Sequence, residues 1–216
     1  MLDTSDNPQG LTERRKHMDK QIIISIGREY GSGGHAIAED LSKRFNIPLY
    51  DSNLLEIIAS EKNVDKDSLK AYDEVPRVRL FTRKVKGQTN SLEENVANLQ
   101  FEYLKNKASA GESFIVVGRC SEYILKDYPC MVSIFILGNK DAKIKRIMNL
   151  YNLSEDDAID KIERENFRRK MYHNYYCKGK WGDSRNYDFS INDSILGLEA
   201  TAHIIEDYVK KRIELM

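Results

Sequence analysis

The chain has 216 residues, 41% of them hydrophobic, and its 34 Lys and Arg balance its 34 Asp and Glu to a formal net charge of +0. This suits one sizeable core with insertions rather than two domains, and leaves no overall field to draw the protein to nucleic acid or a membrane surface. Cys120, Cys130 and Cys177 lack the even count of a disulfide framework, the four histidines show no ligand spacing, and no apolar run reaches membrane-spanning length, so a reduced cytoplasmic setting without a legible metal site is expected.

Residues 1–19 are polar, contain Pro8 and Gly10, and lack the apolar centre of a secretory signal, so they read as a flexible tail. A single domain is expected over 20–216. It opens with "QIIISI" (21–26), a continuous apolar run of the kind that forms a parallel strand buried on both faces. The stretch "GREYGSGGHA" (27–36) follows. Beyond it Ile37, Leu41 and Phe45 recur at fourfold spacing, with Glu39, Asp40, Lys43 and Arg44 between them, which predicts an amphipathic helix.

"IPLYD" (47–51) is a weaker strand candidate. Residues 62–110 are highly charged and read as a helical insert between the second and third strands, suited to an acceptor-binding role. Two further buried strands are predicted at "SFIVVG" (113–118) and "MVSIFIL" (131–137). Ser154 and Asp157 open the next long helix in a capping-box-like spacing, with Ile159 and Ile162 on one face. "YDFSIND" (187–193) is a weaker strand, and a helix over about 196–214 ends the chain. About five strands alternating with helices predict a doubly wound, mostly parallel α/β sheet.

A glycine-rich turn between a strand and a helix can hold an anion, because backbone N–H groups point inward where the helix dipole is positive. Gly31, Ser32, Gly33 and Gly34 supply the flexibility for such a turn. The phosphate-binding pattern G-x-x-x-x-G-K-[ST] is nevertheless incomplete. With Gly33 as its second glycine, Gly34 takes the lysine position, His35 the hydroxyl position and Arg28 the first glycine position. Arg28 and His35 are the cationic groups within the loop that could stand in for the lysine, and Ser32 adds a hydroxyl. If the cradle persists, lysine restored at Gly34 should raise ATP affinity. The same loop also reads as a tight turn that only lets the helix pack on the sheet.

"SIGREYGSGG", "IPLYDSNLLEIIA", "VVGRCSEYIL" and "KWGDSRNYDFSIN" occur in that order. Together they resemble the cytidylate-kinase-like family of bacterial P-loop proteins, itself similar to authentic cytidylate kinases, over about residues 20–212. The resemblance implies a P-loop kinase fold, ATP as phosphoryl donor, Mg²⁺ as its companion, and a nucleoside monophosphate or another small phosphate-bearing molecule as acceptor. It places Asp51 near the acceptor. The authentic enzymes' D-G-R-D segment here reads Val117-Gly118-Arg119-Cys120, which keeps the arginine and loses both acids that bear on cytidine specificity.

The resemblance also implies a lid at 164–186. Arg164 and Arg168 share one helix face with Arg169 beside them, and would stabilise the transferring phosphoryl group. A solvated charged helix is the plain alternative. Tyr172, Tyr175, Tyr176 and Trp181 read equally as core packing, Asp183 and Asp188 as caps and turn residues, and Cys120 as a buried structural thiol. Two functions stay open: a kinase carried by arginines and Mg²⁺, and a catalytically weak nucleotide or phosphoanion sensor whose lid closure changes a partner surface.

Overall fold

The computed structural model describes residues 20–62, 84–85, 88–89 and 92–216. The expected tail at 1–19 and most of the expected insert before residue 92 lie outside the described residues. Five parallel strands form the central sheet: β1 (Ile23–Arg28), β2 (Leu49–Tyr50), β5 (Phe114–Val117), β6 (Met131–Leu137) and β7 (Phe189–Asn192), in the spatial order β2-β5-β1-β6-β7. A separate antiparallel pair, β3 (Lys84–Val85) with β4 (Gln88–Thr89), was not foreseen within the insert.

The three central strands β1, β5 and β6 are buried on both faces, as their long apolar runs require. Ile24 and Ile26 of β1 face α1 (Gly34–Phe45) and the long C-terminal helix α7 (Asp193–Leu215), in a core with Ile37, Leu41, Ile205 and Val209. Ile23 faces the other way, towards α2 (Leu54–Lys62) and α3 (Leu92–Ser109), with Leu54, Ile58, Leu104 and Phe114. Each fully buried isoleucine stabilises this arrangement by about 1.5–3 kcal/mol relative to an exposed one. Ser25, the polar exception in β1, shares a 2.6 Å hydrogen bond with Ser121 of the short helix α4 (Ser121–Ile124).

Two helices remain. In α5 (Lys140–Tyr151), Ile144 and Ile147 pack against Ala158 and Ile162 of α6 (Glu155–Tyr176). The Ser154 side chain caps α6 by accepting from Asp157 N at 3.2 Å, and Glu155, Asp156 and Asp157 place negative charge at the positive end of its dipole. The last helix begins three residues before its expected start and breaks at Gly197, whose φ of 80° and ψ of 171° leave helical space. The chain leaves β1 for β2 and β5 on one side and β6 on the other. A crevice therefore opens at the carboxyl end of the sheet, the usual ligand position in this architecture.

Candidate functional site

The glycine loop crosses from β1 to α1 at that crevice. Glu29 N continues the strand ladder by donating to Ile136 O at 3.0 Å, and the chain then turns through left-handed conformations at Gly31 (φ 83°) and Gly33 (φ 72°). Gly33 is the N-cap of α1, so the helix has no side-chain cap, and no acid lies in its first turn. By helix geometry the first N–H groups have no carbonyl one turn earlier. That end suits an external anion.

Gly34 has a different reason to lack a side chain. A Cβ there would lie 2.7 Å from Arg28 Cβ and 3.1 Å from Arg28 Cγ, so Arg28 covers the position where the lysine would start. The expected gain from lysine at Gly34 therefore needs revising. Gly34→Lys alone is expected to weaken ATP binding and to cost about 1–3 kcal/mol of stability through overpacking. Arg28→Ala in the same chain should relieve the contact and recover ATP affinity; calorimetric titration of single and double variants checks this.

His35 and Asp51 meet across the mouth of the crevice, with His35 Nδ1 2.5 Å from Asp51 Oδ2 and Glu39 on its other ring nitrogen at 3.3 Å. Arg28 Nη2 lies 3.7 Å from Asp51 Oδ1. Arg119 approaches from β5: it is 3% exposed, and its Nη2 donates to Asp51 O at 3.1 Å. It stands in a run of three left-handed residues, Gly118 (φ 76°), Arg119 (φ 58°) and Cys120 (φ 54°). For the two non-glycine residues such backbone strains cost of order 1–3 kcal/mol each, and strain of this kind gathers at ligand sites.

Helix α6 closes over the loop. Asn166 Oδ1 accepts from Tyr30 N at 2.7 Å, Arg169 Nη1 donates to Arg28 O at 3.3 Å, and the Arg169 guanidinium lies 5.2 Å from the Tyr30 ring centre. From α5, Arg146 donates to Gly31 O and, through Nη2, to the fully buried Asp193 at 2.6 Å. The Tyr30 hydroxyl donates to that of Tyr151 at 3.1 Å. Burial, then this hydrogen bond, pushes the Tyr30 phenol above its ordinary range.

These groups line a cavity of about 620 Å³, within the range of small-molecule sites. Of the sequence candidates, Arg28, Gly31, Gly33, Gly34, His35, Asp51, Arg119, Arg168 and Arg169 border it. Ser32 does not: it is fully buried and its hydroxyl donates to Glu29 O at 2.9 Å inside the turn. Arg164 does not border it either, and among the described residues its 62% exposed side chain reaches towards Glu165. Arg146, Tyr30 and Asn166 were missed. Arg146 falls in an ordinary charged helix, and Asn166 shows its use only when α6 folds onto the loop.

Tyr172, Tyr176 and Trp181 of the lid-like segment are packing groups. Tyr172 and Tyr176 sit in a cluster with Cys120 and Cys177, and Trp181 meets Phe135 edge to face. Asp183 caps the turn at Ser184–Asn186 and pairs with Arg185, while Asp188 accepts from Ser133 N at 2.7 Å. Behind Arg119, Glu122 Oε1 lies 2.6 Å from His173 Nε2. Burial alone would lower the His173 pKa, but hydrogen bonds with Cys177 and Glu122 outweigh it and raise it to about 10.

A parallel sheet in this order, with a glycine loop at the end of its central strand and arginines arriving from two later helices, is the arrangement of a nucleotide kinase-like protein. A family model described as "Cytidylate kinase-like family" matches residues 23–195, and the chain belongs to that family. It is 22% identical over 190 residues to a cytidylate kinase of Pyrobaculum islandicum, spanning 87% of this chain and 92% of the relative. The crystal structure of an uncharacterized protein from Eubacterium ventriosum ATCC 27560 superposes with a TM-score of 0.70 at 38% identity, covering 88% of this chain and 98% of that one. A shikimate kinase from Bacteroides thetaiotaomicron shares the fold, with a TM-score of 0.52 at 12% identity over 88% and 98% of the two chains. Among the described residues no helix is long and apolar enough to cross a membrane.

Proposed function

We propose that this protein binds ATP in the 620 Å³ cavity and transfers its γ-phosphoryl group to a nucleoside monophosphate or a small phosphate-bearing metabolite. The observation that carries this reading is the convergence of Arg28, Arg119, Arg146, Arg168 and Arg169 on one cavity beside an uncapped helix start. Phosphoryl transfer asks the protein mainly for positioning and neutralisation of spread negative charge, which guanidinium groups provide bidentately. The first N–H groups of α1 hold the β-phosphate, Arg28 takes over part of the missing lysine's role, and Arg169 and Arg168 reach the transferring group from α6. Arg119 and Asp51 orient the acceptor.

Mg²⁺, when it accompanies the nucleotide, neutralises phosphate charge. The loop offers it no hydroxyl, because His35 stands at that position and Ser32 is turned inward. The hard oxygen donors that fit it among the lining residues are the carboxylates of Glu29, Asp51 and Glu165.

One observation favours a second reading, the phosphoanion sensor. The loop main chain is tied to α5 and α6 through Arg28 O, Tyr30 N and Gly31 O, so an anion that shifts the loop shifts those helices with it. A thermal-shift screen of nucleotides with and without Mg²⁺, paired with a phosphoryl-transfer assay, separates the two. Binding with turnover supports the kinase, binding without turnover the sensor, and no binding removes both. Arg119→Met is expected to weaken the acceptor about tenfold or more while changing ATP affinity little, consistent with loss of one charged hydrogen-bonding group. Calorimetry with each ligand in turn checks this, and equal weakening of both would make Arg119 a brace of the fold.

A further inference from the structure

Cys120 and Glu122 lie at the start of α4, immediately after Arg119, whereas His173 and Cys177 lie one helical turn apart where α6 ends. The fold brings all four together in the interior. Cys120, Glu122, His173 and Cys177 are 3%, 6%, 5% and 8% exposed. The ligating atoms of Glu122, His173 and Cys177 all lie within 4.8 Å of one another, with Cys177 Sγ 3.9 Å from the Glu122 oxygen that meets His173. Cys120 packs in the same buried cluster as Cys177. A void of about 20 Å³, room for one water-sized particle, borders Cys120, Glu122 and His173.

A buried ion pair explains Glu122 and His173 but gives no reason for the Cys177 thiol within reach of both and a void beside them that Cys120 also borders. We propose that these four residues form a site for a zinc-class divalent metal, distinct from the nucleotide cavity. Two thiols, one imidazole and one carboxylate match the soft-to-borderline donors and the fourfold coordination zinc takes in closed sites. Tetrahedral ligands about 2.0–2.3 Å from zinc stand about 3.3–3.8 Å apart. Loading therefore opens the 2.6 Å Glu122–His173 contact by less than an ångström and leaves the 3.9 Å contact almost unchanged. The metal displaces the thiol protons and the proton shared by Glu122 and His173. Two thiolates and one carboxylate leave the loaded site with a charge of about −1. Arg28, Arg119 and Arg169 border the same void and carry charge of the opposite sign. His173 Nδ1 meets Asn174 Oδ1 at 3.3 Å, the outer contact that orients a ligating ring. Loading ties the end of the lid-forming helix to the turn that carries Arg119.

The test uses the full chain, stripped with a chelator under reducing conditions and titrated with Co²⁺ and then Zn²⁺. One equivalent of Co²⁺ is expected to produce a thiolate charge-transfer band with tetrahedral visible absorption, which Zn²⁺ abolishes. Cys177→Ser and Cys120→Ser, each checked for native circular dichroism, are expected to weaken Zn²⁺ binding at least about tenfold and to diminish the band. Cys130→Ser, which alters the remaining thiol, should leave both unchanged. A folded wild-type protein without the thiolate band overturns the proposal, as does a band of undiminished intensity in both Cys120→Ser and Cys177→Ser. The wild-type spectrum decides even if a variant misfolds, and no outcome depends on kinase activity.

Discussion

Gly33→Val is expected to destabilise the protein by about 2–6 kcal/mol and to abolish nucleotide binding. Two separate penalties add. A β-branched residue in the left-handed region costs about 1–3 kcal/mol, and overpacking about 1–3 kcal/mol more. The overpacking is specific: a Cβ at this position would collide with Leu198 Cδ2 and come within 3.1 Å of Asp193 Oδ2 and 3.4 Å of Arg146 Cζ. From sequence alone the same change reads as a binding defect in an otherwise folded protein. The packing of α7 against the loop makes it a stability defect as well. Urea unfolding measures the first effect, and titration at a temperature where the variant is folded measures the second. Gly33→Ala with Leu198→Ala should lose less stability than the two single changes sum to, because removing Leu198 opens the space the new methyl needs. Unchanged binding in a folded Gly33→Val protein would remove the loop from the site.

The paired change Arg168→Met with Arg169→Met is expected to lower kcat about 10²- to 10³-fold while changing ATP affinity much less, as for loss of preorganised charge around a developing transition state. Arg169 should dominate, since it reaches Arg28 O and lies against Tyr30, whereas Arg168 is 44% exposed and held towards Glu165. Single-turnover kinetics with ATP and a panel of nucleoside monophosphates and small alcohols checks this. A loss confined to KM would mean that these arginines bind ground-state nucleotide only. If the wild-type protein transfers no phosphoryl group and the variants bind ATP as it does, the kinase reading falls and the anion sensor stands.

The centre of the sheet was legible because β1, β5 and β6 are buried on both faces, so runs such as Ile22–Ile23–Ile24 and Ile134–Phe135–Ile136 announce themselves by continuous hydrophobicity. Local signals also placed the loop: glycines needed at Gly31 and Gly33 for positive φ stand out in any sequence. Side chains that act at a distance did not stand out. Arg146 is one cation among several in α5, and only the packing of α5 against α6 brings it to Gly31. Arg164 shares a helix face with Arg168 by spacing, but its side chain is 62% exposed and does not border the cavity. The two halves of the Cys120, Glu122, His173 and Cys177 cluster lie about fifty residues apart in sequence, so no spacing rule detects them.

Asn166, Arg169 and Arg146 grip the loop through Tyr30 N, Arg28 O and Gly31 O, all of them main-chain atoms. A grip of this kind is blind to which side chains the loop carries. Positions such as 28 and 35 can therefore change their chemistry without surrendering the shape that the glycines at 31 and 33 allow, and a motif search that reads only the loop will underrate it. The constraint on the loop lies outside it, in an asparagine and two arginines more than a hundred residues downstream.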